Sequence, residues 1–214
     1  MGRRPSGSAI GILVVCAVAQ ELERLAPRRD VDVIAAGVGP VEAALGTARA
    51  LAAKRYDAVI NAGIAGGFRE RCTVGDAVVC ARDDYAELGL EDGTAFPLPG
   101  GIALQRSAEA HASLLEPFLA GLIPVIVGRG VTSAIVTSTT ARALVLAHRF
   151  RADVESMEGF AVLRAAALAG VPAVEIRGVS NLVGDRASNE WNFRAGAEAA
   201  VATTDALLNV LLTV

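Results

Sequence analysis

The chain has 214 residues, enough to bury one sizeable core, and its formal net charge of −3 comes with no local run of Lys or Arg, which argues against a nucleic-acid surface. Apolar residues make up 53% of it and aromatics only 4%, so the interior must be packed from small side chains, as in a helix-and-sheet protein. Cys16, Cys72 and Cys80 have no metal-ligand spacing, and their odd number fits buried thiols in a reducing cytosol rather than a metal centre.

Residues 1–8 read as a flexible polar leader and residues 9–214 as one domain. Arg3-Arg4 ahead of IGILVVCAVAQ has the outline of a short signal peptide. The same run reads as a first buried strand, Ile10–Ala17, and cleavage would remove the strand that delivers Glu21. No continuous apolar run reaches the ~20 residues that span a bilayer, so no membrane partner is expected. A helix at Gln20–Ala26, a strand at Val31–Ala36 and a helix at Pro40–Lys54 follow, the last opened by Gly39-Pro40, with proline suited to a first turn. Strands are expected at Ala58–Ala62 and Asp76–Ala81. The stretch Glu91–Gly101 (EDGTAFPLPGG) is too rich in Pro and Gly for regular structure. Beyond it the pattern predicts a helix at Arg106–Leu119, strands at Leu122–Val127 and Ala134–Thr137, helices at Thr140–Arg149 and Glu158–Ala169, a strand at Ala173–Gly178 and a final helix at Asn192–Leu212. Near-continuous Val/Ile runs mark strands buried on both faces, and their alternation with helices indicates an α/β fold around a mainly parallel sheet. No internal repeat or interdomain linker is visible.

In such a sheet, ligands bind beyond the carboxyl ends of the strands. There lie Ala17–Glu21, Gly37–Gly39, Gly63–Gly67, Thr137–Thr140 and Ser180–Asp185: small, polar and acidic residues suited to one composite site. Glu21 is placed either to orient a water nucleophile or to complement a helix dipole. Gly63, Gly66 and Gly67 either let a backbone approach a ligand or make an ordinary turn; this is not a dinucleotide fingerprint, since G-x-G-x-x-G is absent. Glu158 opens a helix, and Glu155, three residues earlier, is an equal candidate for a functional acid. Asn181, Asp185 and Arg186 fit either a site or turn chemistry. Trp191, the only tryptophan, covers a ligand or anchors the last helix.

The blocks CAVAQELERL, AGVGPVEAALGTA, DAVINAGIAGGF with VGDAVV, VESMEG and IRGVSN occur in the order found in the purine nucleosidase and nucleoside phosphorylase family, and resemble its methylthioadenosine/S-adenosylhomocysteine nucleosidases. Singly none is specific; together they cover most of the chain from Ile10 to about Trp191. The resemblance implies a single three-layer α/β/α sandwich with a central mixed, mostly parallel sheet, a small-molecule purine nucleoside as substrate, no cofactor, no metal, and assembly as a homo-oligomer in the cytoplasm. By the same resemblance Glu21 matches the acid that activates water, Met157 and Glu158 the ribose-holding pair, and Arg177 the supporting arginine of the last strand. Ser180 and Gly63, Gly66 and Gly67 match positions beside the ligand.

Two departures bear on the reaction. Asn61 and Ile64 stand in the segment where family phosphorylases bind phosphate, and the Glu21 carboxylate repels an anion, which favours water as nucleophile. Asn181 stands where the adenosine-type enzymes carry an aspartate. An amide offers a donor to O6 and an acceptor for N7–H, whereas a carboxyl group suits adenine; a mismatch costs roughly 1–3 kcal/mol. The expected reaction is hydrolysis of a 6-oxopurine nucleoside. Asparagine cannot act as a general acid, so another group or a water must protonate N7, and Asp185 is one candidate. Phe68, Phe160 and Trp191 are candidates for the non-purine end of the substrate, and Arg186 for a charge there. A phosphorylase, an adenosine-type nucleosidase and a non-catalytic nucleoside-binding protein remain as alternatives.

Overall fold

A computed structural model describes residues 10–90, 99–185 and 190–213; the leader at 1–8, most of Glu91–Gly101 and Arg186 lie outside the described residues. The first strand, β1 (Ile12–Cys16), is fully buried and shows how the layers form. Alternate side chains of a strand point to opposite faces. Ile12, Val14 and Cys16 pack with Leu114, Leu115 and Phe118 of α2 (Ala112–Leu119) and Leu207 and Leu208 of α5 (Phe193–Leu212). Leu13 and Val15 pack with Ala43 of α1 (Pro40–Ala53) and Val162, Leu163 and Ala166 of α4 (Gly159–Ala169) on the other face. The result is the expected α/β/α layering around a mixed sheet. Each fully buried Leu or Val contributes about 1.5–3 kcal/mol.

The remaining strands are β2 (Val31–Ala35), β3 (Ala58–Gly67), β4 (Ala77–Tyr85), β5 (Ser107–Glu109), β6 (Ile126–Thr132), β7 (Val154–Ser156) and β8 (Ala173–Leu182). They run in the order β2-β1-β3-β7-β6-β4-β5, with β8 pairing both β3 and β4. Pairings β3–β7, β4–β5 and β4–β8 are antiparallel, and β1–β2, β1–β3, β3–β8, β4–β6 and β6–β7 are parallel. The circuit β3–β7–β6–β4–β8–β3 is therefore closed, and half the sheet curls on itself. The helix α3 (Thr140–Phe150) covers this end through Ala143, Leu146 and Phe150, against Phe68 and Val131.

Several expectations are corrected. Gln20–Ala26 yields only a 3-10 turn at Ala19–Leu22, because the Glu21 side chain turns back to take the N–H groups of Ala17 and Val18. Ala134–Thr137 forms no strand: the Ser133 hydroxyl bonds the Ile135 carbonyl (2.6 Å) and accepts its N–H (3.2 Å), replacing ladder bonds with local ones. The strand expected at Leu122–Val127 starts at Ile126 and runs to Thr132. Arg106–Leu119 divides into β5 and α2, with the His111 ring capping the helix. The short β7 was not anticipated. β3 and β8 both extend past their apolar cores, to Gly67 and Leu182, which builds the site. Finally, α5 is long and apolar enough to cross a bilayer by composition, contrary to the expectation that no segment would be; here Thr204, Leu207 and Leu208 are fully buried in the protein core.

Candidate active site

The extended ends of β3 and β8 run side by side, with a bulge after Ala65 that sets Gly66 opposite Asn181. On the other side of β3, β7 pairs antiparallel and sets Glu155 opposite the same Gly66. Met157 and Glu158 then lead into α4, and the 3-10 turn after β1 brings in Glu21. These elements enclose a cavity of ≈ 250 Å³ whose wall includes Glu21, Glu155, Met157, Glu158, Asn181 and Trp191. Among the described residues the wall carries three carboxylates and neither Lys nor Arg.

Glu21 is 3% exposed. One carboxylate oxygen accepts the N–H groups of Ala17 (2.9 Å) and Val18 (3.1 Å), and the other accepts that of Ile64 (2.9 Å). Three backbone donors from two elements fix this carboxylate. It lies directly over Gly63: a Cβ there would stand 2.6 Å from Glu21 Oε1 and 3.1 Å from Arg177 Nη1.

Behind the wall lies a buried charge cluster. Arg177 is fully buried; its Nε donates to Glu175 (2.8 Å), its Nη1 faces Glu158 (3.5 Å), and its Nη2 donates to the Asn61 side-chain oxygen (2.8 Å). Burial opposes the guanidinium charge, but Glu175, Glu158 and Glu21 outweigh it and hold its pKa above the ordinary value. Glu158 also accepts the Gly39 N–H (3.0 Å). Burial raises its pKa, against the pull of Arg177 and Gly39. Asp83 of β4 is fully buried, and burial followed by the neighbouring Glu175 carboxylate pushes its pKa well up. Both Asp83 oxygens and Glu175 Oε2 lack a donor among the described residues, which fits the raised pKa that favours a protonated Asp83. The cluster packs under the start of α4, where a Cβ on Gly159 would clash with both acids.

Asn181 is 9% exposed. Its carbonyl accepts from the Ser180 hydroxyl (2.9 Å) and its NH₂ donates to the Leu182 carbonyl (3.2 Å). One N–H and one lone pair of the amide remain for a ligand. A Cβ on Gly66 would meet Val183 at 2.8 Å and Asn181 Nδ2 at 3.3 Å, so only glycine leaves these two side chains where they are.

Glu21, Gly66, Met157, Glu158, Ser180 and Asn181 are thus brought together at the wall. Gly63 lies beneath Glu21, and Arg177 stands behind Glu158. Gly67 points away, towards Cys72 and Val179, and its smallness serves packing. Asp185 is exposed and outside the cavity wall, so it is not positioned to hand a proton directly to a base there. Phe68 and Phe160 are core residues, the latter stacked on Tyr85 at 5.5 Å. Trp191, half exposed, lines the cavity, as does Phe193. Asn61 faces Arg177 rather than the cavity. Both Glu155 and Glu158 belong to the wall, whereas Asp83 and Glu175 carried no sequence signal: a lone acid in a strand looks like a solvent-facing position. The cysteines are buried thiols, and burial pushes Cys16 up to about 12. Among the described residues no cluster of His, Cys, Asp and Glu is fit to hold a metal ion.

A mixed α/β sheet whose strand ends carry fixed carboxylates and an amide around a small cavity defines an enzyme class, and the comparisons agree. The chain belongs to the phosphorylase superfamily, whose family model matches residues 24–213. It is similar to the futalosine hydrolase of Streptomyces coelicolor, with 40% identity covering 82% of this chain and 76% of that protein. It is likewise similar to the futalosine hydrolase of Thermus thermophilus, with 32% identity covering 76% and 74%. The fold matches that of a 5'-methylthioadenosine/S-adenosylhomocysteine nucleosidase from Colwellia psychrerythraea in complex with adenine, with a TM-score of 0.78 at 24% identity over 96% of both chains.

Proposed function

We propose that the protein hydrolyses the N-glycosidic bond of futalosine, releasing hypoxanthine and dehypoxanthine futalosine, a step of menaquinone biosynthesis. The observation that carries this reading is the pinned amide of Asn181 in a chain similar to futalosine hydrolases. Its free N–H suits O6 of hypoxanthine and its free lone pair suits N7–H of the departing base. Glu21, held by three N–H groups, orients and deprotonates the attacking water. Met157 packs on the ribose and Glu158 accepts from its hydroxyls as positive charge develops on the sugar. With Asp185 away from the wall, water supplies the proton to N7. The absence of a cation among the described wall residues supports water over phosphate as nucleophile.

Two further features belong to this reading. Val41 and Leu45 sit one turn apart on α1 and are 66% and 63% exposed, and Val38 beside them also lines the cavity. An apolar patch at the site rim supports a homo-oligomer. Three free, buried thiols support a reducing cytoplasm.

The test is incubation with futalosine in phosphate-free buffer, following hypoxanthine by chromatography. Rapid release is expected. Release only on addition of phosphate would instead assign a phosphorylase.

A further inference from the structure

We propose that Glu155 is a second base-reading residue, whose Oε2 accepts the N1–H of a 6-oxopurine while Asn181 reads O6 and N7. The inference rests on the reading that the cavity takes a 6-oxopurine nucleoside.

The sheet register carries it. Glu155, Gly66 and Asn181 lie side by side on adjacent strands, and side chains in register point to the same face. Glu155 and Asn181 are two strand spacings apart, roughly 9–10 Å between Cα atoms, with only a glycine between them. Val183, whose methyl stands where a Gly66 side chain would point, gives an apolar floor for a flat ring with a polar side chain at each side. Both residues line the cavity. In a 6-oxopurine, O6 stands between N7 and N1, so a residue beyond Asn181 on the O6 side meets N1.

The polar inventory of Glu155 fits this task. It is 8% exposed. Its Oε1 accepts the Thr137 N–H at 2.9 Å, whereas Oε2 is buried with no partner among the described residues. A buried acceptor left unpaired is costly, and a ligand N–H would satisfy it. Hypoxanthine has a hydrogen on N1. Adenine has a lone pair there, which would face the carboxylate lone pair. The net shift of the Glu155 pKa is upward: burial raises it most and Glu87 adds to this, against the Thr137 hydroxyl and N–H and the Arg142 charge.

The purely structural alternative is that Glu155 only anchors the Thr137 N–H. Glu155→Gln separates the two. Its carbonyl can keep the Thr137 bond, while its NH₂ replaces Oε2 and presents a donor to N1. Binding of free hypoxanthine and free adenine is measured by calorimetry for the wild type and E155Q. The ratio of hypoxanthine to adenine affinity is expected to fall by roughly ten- to hundredfold, the range of one hydrogen bond to a charged group. An unchanged ratio in the folded variant overturns the proposal. A measurement on the wild type covers the case of a variant that fails to fold: 1-methylhypoxanthine, which lacks N1–H, should bind at least tenfold more weakly than hypoxanthine, and equal binding overturns the proposal. These readouts use bases alone. Failure to cleave futalosine with N1–H-dependent base binding would therefore remove the substrate and keep Glu155, and cleavage with an unmoved ratio would do the reverse.

Discussion

Gly63→Ala puts one methyl group under the Glu21 carboxylate, the proposed activator of water. The new Cβ would stand 2.6 Å from Glu21 Oε1, against the 3.4 Å of ordinary contact, so the carboxylate must move by about 0.8 Å. A free glutamate would swing aside at little cost. Glu21 cannot, because Ala17, Val18 and Ile64 hold its two oxygens at 2.9–3.1 Å, and such a displacement breaks at least one bond worth about 1.5–3 kcal/mol. Misplacing a reacting group by about 1 Å can cost roughly 100-fold. The expected outcome is a fall in kcat of about that size with a much smaller change in KM, since base and ribose contacts are elsewhere. The assay is hypoxanthine release over a range of futalosine concentrations, with thermal unfolding to confirm a folded variant. A folded G63A enzyme within threefold of wild-type kcat would refute the view that Glu21 must be held where it is.

At Gly66, an added methyl group meets Asn181 Nδ2 at 3.3 Å and Val183 at 2.8 Å. G66A should therefore weaken hypoxanthine binding roughly tenfold or more, measured by calorimetry; unchanged affinity would place the base elsewhere. Asn181→Asp should shift the preference from futalosine towards its adenine-containing counterpart, and an unmoved ratio of kcat/KM values would remove the base-recognition role of the amide. Asp83→Asn addresses the buried acid pair. The Asp83 pKa is raised in the folded protein, so its contribution to stability is fully present below the unfolded pKa and is lost as pH rises towards the folded value, by up to about 1.4 kcal/mol per pH unit for one proton. Urea unfolding between pH 5 and 8 should show a shallower decline in D83N than in the wild type, and equal slopes would rule out a proton held on Asp83.

Much of the site was legible because its residues follow apolar runs. Glu21 and Asn181 stand at the ends of Val- and Ile-rich segments, so the rule that ligands gather beyond strand ends found both; Glu158 opens a helix, and only the family resemblance separated it from Glu155. Strand length was not legible. Gly-Ile-Ala-Gly-Gly has poor strand propensity, yet it pairs because β8 and β7 hold it from both sides. This tertiary pairing turned an expected loop into a wall, and it divided the glycines: Gly66 faces the cavity and Gly67, one residue on, faces the core. The same blindness hid Asp83 and Glu175, which are recognisable only once β4 and β8 are seen to pair antiparallel near Arg177.

That cluster also bears on the choice of nucleophile. A phosphate ion needs cations it can reach, and among the described residues Arg177 is a guanidinium behind this cavity. It is fully enclosed, with Glu175 at 2.8 Å, Glu158 at 3.5 Å and Asn61 at 2.8 Å taking its donors. Freeing it for an anion would leave buried carboxylates uncompensated, a change that costs several kcal/mol per group. Its charge is committed to holding Glu158 at the cavity wall, where we propose the ribose binds. Glu21, beside the same cluster, adds a second fixed negative charge at the cavity wall, where an incoming anion is repelled and a neutral water is polarised. The arrangement proposed to anchor the ribose thus also favours hydrolysis.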